Sequence, residues 1–412
     1  MSKVFNLPQI VIFTVFSTFM FSFGNLSGGV NSPNLQFYAK DALGISVGTL
    51  GILFSLSNTV SGAIRIPTGL QIDRHGTKRY LTIAYGVSAV ALLIALSLKN
   101  WLALAVAMAL SGAGTGMMFC TQKFRLAHYT NSQNRSAAYS MLFGFSFVSS
   151  FLGPYISGVL MENYGFHLPV ICGLAITIAG MFLSFRLPPI APDEKPPIRS
   201  KPRETTTTPG CSSGQITEGV LSRSMGMGRN VWLITFYKTS YNAISGATSF
   251  IYALYLRETF SLSYELTGTI MTFISLPRIV GIISAGRVRS TEGRKKLLLL
   301  SIVEIPLFFI GFRVVSNILQ ATALIVVLGF IGGHITPTMD AVLADSARSS
   351  QVGLSFGIYD MCMRIGIAVG NIFGGFMVDQ FGYVAALSTA GLIAIIPSFF
   401  SLVLLKTRNS PP

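Results

Sequence analysis

Nine ionisable side chains stand inside long apolar runs of this sequence: Arg65, Lys123, Arg125, Lys238, Arg278 and Arg364, with Glu304, Asp340 and Asp360 as the acids. Their net charge is +3. A charge in hydrocarbon is costly, and is kept where it binds, carries a proton or neutralises a partner. Asp360 and Arg364 are spaced i, i+4 on one helix face. They read either as a self-neutralising pair or as a proton-sensitive pair whose partner is exchanged. Glu304 reads either as a structural partner or as an acid for proton coupling. His334, also within a run, is either a satisfied core histidine or a proton-linked or substrate-binding group. Lys238, Arg278 and Arg364 are deep: Arg278 lies roughly 12 Å along a helix from Gly286. Such groups match a carboxylate or phosphate. Arg65, one turn from Gly69, is expected to snorkel to the interface, and Lys123 and Arg125 lie near the end of their run. Asn25, Gln122, Tyr241 and Asn242 are polar groups on the same runs, serving either a small amphipathic substrate or bonds between helices.

These residues need elements that cross a membrane. Of 412 residues, 51% are apolar and 11% charged, against about 25% charged in an average soluble domain. A soluble enzyme, a disordered chain and a disulfide-rich secreted domain are excluded. The 30 basic and 15 acidic residues give +15. The basic residues cluster in short loops, so the charge predicts no nucleic-acid partner. Cys120, Cys172 and Cys362 lie in apolar runs and Cys211 in a polar segment. Their spacing suits neither a metal nor a disulfide framework, and no cofactor is expected.

Twelve spans follow from the hydropathy: 9–38, 46–70, 79–98, 101–127, 136–161 and 168–187, then 230–256, 264–287, 297–315, 318–344, 352–378 and 384–405. The expected fold is an all-α membrane protein with two pseudo-symmetric six-helix bundles, 1–187 and 230–412. The linker 188–229 is rich in Pro, Ser, Thr and charge, and predicts disorder with a short helix at 216–224. With both termini in the cytoplasm, 20 Lys and Arg fall inside and four outside, namely Lys40, Lys99, Arg257 and Arg313. That bias predicts N-in, C-in.

The halves repeat at an offset of 217 residues without a gap. Asn25 falls on Asn242, Gly51 on Gly268, Gly158 on Gly375, Gly165 on Gly382, and Lys40-Asp41 on Arg257-Glu258. Both halves start on the same side, so the repeat is parallel, with a site expected near the midplane between them. Lys123 falls on Asp340. Equal depth and opposite charge predict a gate bond between these two.

After the second span the chain reads Gly69-Leu-Gln-Ile-Asp73-Arg74-His75-Gly76-Thr77-Lys78-Arg79. Gly76 permits a tight turn, and Asp73 is placed to accept from a neighbouring helix N-terminus or pair with an arginine. Lys78 and Arg79 hold the turn at an anionic leaflet, or are simply a basic turn. This loop resembles the signature Gly-x-x-x-Asp-Arg-x-Gly-Arg-Lys of the major facilitator superfamily, with Thr77 in place of the first basic residue after Gly76. The resemblance implies a secondary transporter in which two bundles rock around a central site, and a gating role for Gly69, Asp73, Arg74, Gly76, Lys78 and Arg79. In the fifth span Gly144, Gly153, Pro154 and Gly158 resemble the Gly-Pro-x-x-Gly-Gly motif of drug and metabolite exporters in that family, with Ser157 replacing one glycine. They are expected to be helix-packing positions. Proton-coupled exporters of the family usually carry an arginine in span four where this chain has Met108.

The leading expectation is a proton-coupled exporter of a small organic compound. The alternatives are an organic-anion transporter using the deep Lys and Arg residues, and a non-transporting receptor on the same fold. The first two imply a small-molecule substrate, H+ or another coupling ion, and a monomer in the lipid bilayer of the plasma (inner) membrane. Nothing in the sequence supports catalysis: no nucleotide-binding loop, metal cluster or nucleophile triad is visible, so the chain does not read as an enzyme.

Overall fold

The computed structural model describes residues 9–25, 32–97, 100–129, 132–186, 228–288, 290–347 and 352–406. The expected linker disorder and the 216–224 helix lie outside the described residues. Those described are helical. The first half comprises α1 (Gln9–Gly24), α2 (Ser32–Phe37), α3 (Val47–His75), α4 (Thr77–Leu96), α5 (Trp101–Tyr129), α6 (Ser132–Tyr164) and α7 (His167–Phe185). The second comprises α8 (Arg229–Ser249), α9 (Ile251–Phe260), α10 (Tyr264–Ala285), α11 (Thr291–Leu298), α12 (Leu300–Pro306), α13 (Phe312–Val314), α14 (Ile318–Ser346) and α15 (Val352–Lys406). Among the described residues, nine stretches are long and apolar enough to cross a membrane, the last being Gly357–Leu405.

Local chemistry sets the boundaries, and it repeats. Ser46 and Ser263 are extended residues whose hydroxyls accept the N–H of Thr49 and Leu266, capping α3 and α10. Both serines are equivalent at the 217-residue offset. Gly165 (φ 78°) turns the chain between α6 and α7, and its equivalent Gly382 (φ 80°) breaks α15 into two limbs. Only glycine takes that backbone conformation at little cost. The limbs match the expected spans 352–378 and 384–405. Of the expected first span, 9–38, the described residues form α1 and α2, and 26–31 lie outside the described residues.

The halves cross where glycines let backbones touch. A Cβ on Gly51 of α3 would strike the carbonyl of Asn371 on α15, with Gly375 Cα at 3.4 Å. Its equivalent Gly268 of α10 would strike the carbonyl of Pro154 on α6, with Gly158 Cα at 3.3 Å. Gly153 is buried, but nothing lies within 4 Å of a Cβ on exposed Gly144, so its expected packing role is not seen.

Candidate functional site

A cavity of about 360 Å³ lies between the halves. Helices α1, α3, α5 and α6 supply most of its wall, and α15 supplies Arg364, Ile367 and Asn371. Its lining is serine and amide with phenylalanine between: Ser57, Asn58 and Ser61 on α3, Ser146, Ser149 and Ser150 on α6, and Phe21, Phe54, Phe119 and Phe250. This supports hydrogen bonding to a substrate's polar groups and stacking against its apolar part. Arg364 is the only ionisable residue among the described lining residues.

Two of the expected substrate residues, Asn25 and Arg364, reach this cavity. Asn25 is buried and is fixed by α5: Ser111 Oγ donates to its Oδ1 at 2.9 Å, and its Nδ2 donates to Thr115 Oγ1 at 2.9 Å. Its repeat partner Asn242 turns back on its own helix, donating to the Lys238 carbonyl at 2.9 Å. Gln122 is fully buried off the cavity, with neither side-chain polar atom hydrogen-bonded. Arg278 is exposed, with its guanidinium 5.8 Å from the Phe147 ring centre. His334 is half-buried between Ser284 Oγ at 2.7 Å and the Phe330 carbonyl at 3.0 Å. Tyr241 donates to Glu304 Oε1 at 2.9 Å, and Glu304 is buried with Oε2 lacking a partner.

The charge pairs differ from the expected ones. Lys123 and Asp340 do not meet. Lys123 Nζ instead contacts Asp360 Oδ2 at 3.1 Å, joining α5 to α15 across the halves. Asp340 Oδ1 takes Lys238 Nζ at 3.1 Å and the Tyr359 hydroxyl at 2.6 Å, within the second half. Asp360 therefore does not pair with Arg364. The Arg364 Nη1 donates to Asn58 Oδ1 at 2.8 Å, and its Nε has no partner. The physical reason is that spacing along one helix fixes depth but not which neighbour faces a side chain. Arg65 does not snorkel away: its Nε is buried without a partner, and it lies in electrostatic reach of Asp360. Arg125 is fully buried and donates to Thr77 Oγ1 at 2.9 Å. Thr77 holds a place where the family signature is basic, and a cation there would face Arg125.

The loop motif lies at the end of α3. Gly76 (φ 77°) is buried and donates to the Ile72 carbonyl at 2.9 Å, closing α3 before α4 begins. A Cβ on Gly69 would lie 3.8 Å from Cys120 Sγ. Lys78 is half-buried and Arg79 exposed. The side chains of Asp73 and Arg74 lie outside the described residues.

The opposite end carries contacts that sequence reading did not assign. Lys40 pairs with Glu258 at 2.5 Å, and Arg257 with Asp41 at 2.7 Å. Each pair crosses the halves, and each is the repeat equivalent of the other. Asp379, ending the first limb of α15, accepts the Gly48 N–H of α3 at 2.8 Å. Its equivalent Glu162, ending α6, accepts the Tyr264 N–H of α10 at 2.9 Å. Each carboxylate sits at the positive end of a helix in the other half. The signal was present in the sequence as Lys40-Asp41 aligned on Arg257-Glu258. Asn58 and the α6 serines carried no signal beyond being polar inside a span.

Comparisons with known proteins agree with this architecture. The family profile described as Major Facilitator Superfamily matches residues 11–243 and again 239–412. The multi-drug resistance efflux pump PmrA homolog of Lactococcus lactis subsp. lactis (strain IL1403) is 24% identical, over 90% of this chain and 89% of that protein. Multidrug resistance protein MdtG of Proteus mirabilis (strain HI4320) is 22% identical over 87% of this chain and 86% of its own. Among solved structures, the nucleoside transporter NupG superposes with a TM-score of 0.74 at 15% identity, covering 98% of this chain and all of that one (100%). The peptide transporter POT in complex with sulfate gives 0.70 at 14%, covering 97% and 94%. At these identities the solved structures speak for the fold.

Proposed function

Because this chain belongs to the major facilitator superfamily, and is a multi-pass membrane transporter rather than an enzyme, we propose that it exports a small organic compound by alternating access. On this reading twelve spans form two bundles, 1–187 and 230–412, joined by the linker 188–229, with both termini in the cytoplasm. The end carrying Lys40 then faces outward, and the end carrying the Gly69–Arg79 loop faces inward. The observation that carries the proposal is the cavity between the halves, capped on one side by reciprocal ion pairs that cross them. The relative named as a multi-drug resistance efflux pump supports the outward direction, and it and the multidrug resistance protein MdtG support a drug-like cargo.

Proton coupling is part of the proposal, and two acids are assigned to it. Asp360 bonds Lys123 of the other half, so opening the inner side breaks or remakes this contact. Glu304 is buried beneath Tyr241 with one carboxylate oxygen unpartnered. Lys238 and Asp340 neutralise one another within the second half, which argues against Lys238 as a substrate ligand.

Sealed vesicles bearing the purified full chain in inverted orientation test this. A mixed panel of neutral, cationic and anionic organic compounds is presented with the interior made acidic. The expected result is accumulation of at least one compound that collapses with the pH gradient. Flux equal to protein-free vesicles across the panel overturns the exporter reading.

A further inference from the structure

Resting on that reading, we infer that the transported compound carries an anionic group, a carboxylate or its chemical equivalent, bound by Arg364 in the central cavity.

Arginine stays charged in any protein environment. Arg364 lies near the middle of the first limb of α15, lines the cavity, and has no carboxylate partner. Asn58 takes one of its N–H groups and so fixes the plane of the guanidinium. Its Nε has no hydrogen-bond partner. The nearest acid on the same helix face, Asp360, is engaged by Lys123. Asn371, two turns along the same face, also lines the cavity, and its buried Nδ2 has no hydrogen-bond partner. Both are donors, and both sit on the wall that α15 contributes. No Asp or Glu stands among the described lining residues, so a cationic cargo would meet an uncompensated like charge.

The passage beneath the cavity points the same way. Lys123 bonds Asp360 directly, and Arg65 and Arg364 lie in electrostatic reach of the same carboxylate without bonding it. These four groups carry three positive charges to one negative, and a buried cation without a bonded counter-charge, as at Arg364, is costly. A carboxylate arriving there supplies a counter-charge and accepts a charge-assisted bond from the guanidinium. Asn58 acts here as a positioning residue. The phenylalanines Phe21, Phe54 and Phe119 then take an apolar or aromatic body. The cargo so described is a compact organic acid with a hydrophobic part.

The test uses matched sets of small aromatic and aliphatic molecules, each a carboxylate, its carboxamide and the ammonium of the same skeleton; phenylacetate, phenylacetamide and phenethylammonium are one set. Binding to the detergent-purified full chain is read by thermal shift and by isothermal titration. The expected result is that carboxylates bind best in wild-type protein. R364Q weakens them by about tenfold or more, the loss of a charge-assisted bond, and R364K loses less because it keeps the charge. N58A reduces carboxylate affinity by a larger factor than amide affinity. The wild-type comparison needs no variant to fold. The inference is overturned if ammonium or amide members bind as tightly as carboxylates, if no carboxylate binds, or if folded R364Q binds them within about twofold of wild type. Export of cations or neutral compounds with no carboxylate selectivity would sink this inference and leave the exporter reading standing.

Discussion

The two ends of the molecule treat the internal repeat differently. At the end carrying Lys40, every cross-half contact described above has its duplicate. Lys40–Glu258 is mirrored by Arg257–Asp41, the Asp379 cap by the Glu162 cap, and the Gly51 crossing by the Gly268 crossing. Toward the other end the charges ignore the repeat. Lys123 is equivalent to Asp340, yet each bonds a different partner. The equivalents of Asp360, Lys238 and Arg364 are Phe143, Phe21 and Phe147. If the repeats are the two bodies of the proposed transporter, closure needs two equal clasps. Recognition of one asymmetric cargo needs unequal walls. On the proposed alternating-access reading, the duplicated residues belong to the moving scaffold and the unduplicated ones to the chemistry.

Breaking the symmetry of the clasp should hurt equally from either side. The largest effects are expected at the crossings. G51V and G268V each force a side chain into backbone of the other half, costing about 1–3 kcal/mol or more. Both should lower the thermal midpoint by similar amounts and abolish transport. A large effect at one position alone would show that the repeat in the structure is not functional. Next comes the unduplicated pair inside the second half. D340N strands the buried Lys238 ammonium, and should destabilise by up to about 3 kcal/mol, moderated because Asp340 is half exposed. D360N, whose partner lies in the other half, should shift transport more than stability.

Smaller effects are expected from the ion pairs at the Lys40 end. Each is partly exposed and contributes at most about 1 kcal/mol. K40E alone should favour opening of that end, and K40E with E258K should restore the wild-type balance; the same holds for R257E with D41R. Rescue in one pair without rescue in the other would contradict equal clasps. Smallest of all, E162Q and D379N each remove a charge from a helix N-terminus, worth about 0.5–1 kcal/mol, and the two should match in thermal midpoint.

Much of this was legible before any coordinates. The 217-residue register follows from glycines and charges that recur in one frame; the same register pairs Ser46 with Ser263, whose capping bonds only the structure shows. The intramembrane charges were legible as residues but not as pairs. Depth along a helix follows from rise per residue, whereas azimuth depends on how neighbouring helices are rotated. Lys123 and Asp340 share a depth and still face apart. Asp360 and Arg364 share a face, but Lys123 and Asn58 approach it from the other half. The cavity serines were illegible for another reason: a serine in a span is ordinarily bonded to its own backbone, as Ser146 is to Leu142, and only the three-dimensional wall reveals that several face one space.

The most direct test of the account is a distance between spin labels placed at Tyr164 and Phe381, two exposed positions at the Lys40 end, in a chain freed of its native cysteines. Equal clasps that release together predict one short distance in wild-type protein and a second, longer population in K40E. That longer population should be reversed when E258K is added. A single distance that stays fixed in wild type, single and double variants alike would contradict the claim that this end opens by parting the reciprocal pairs.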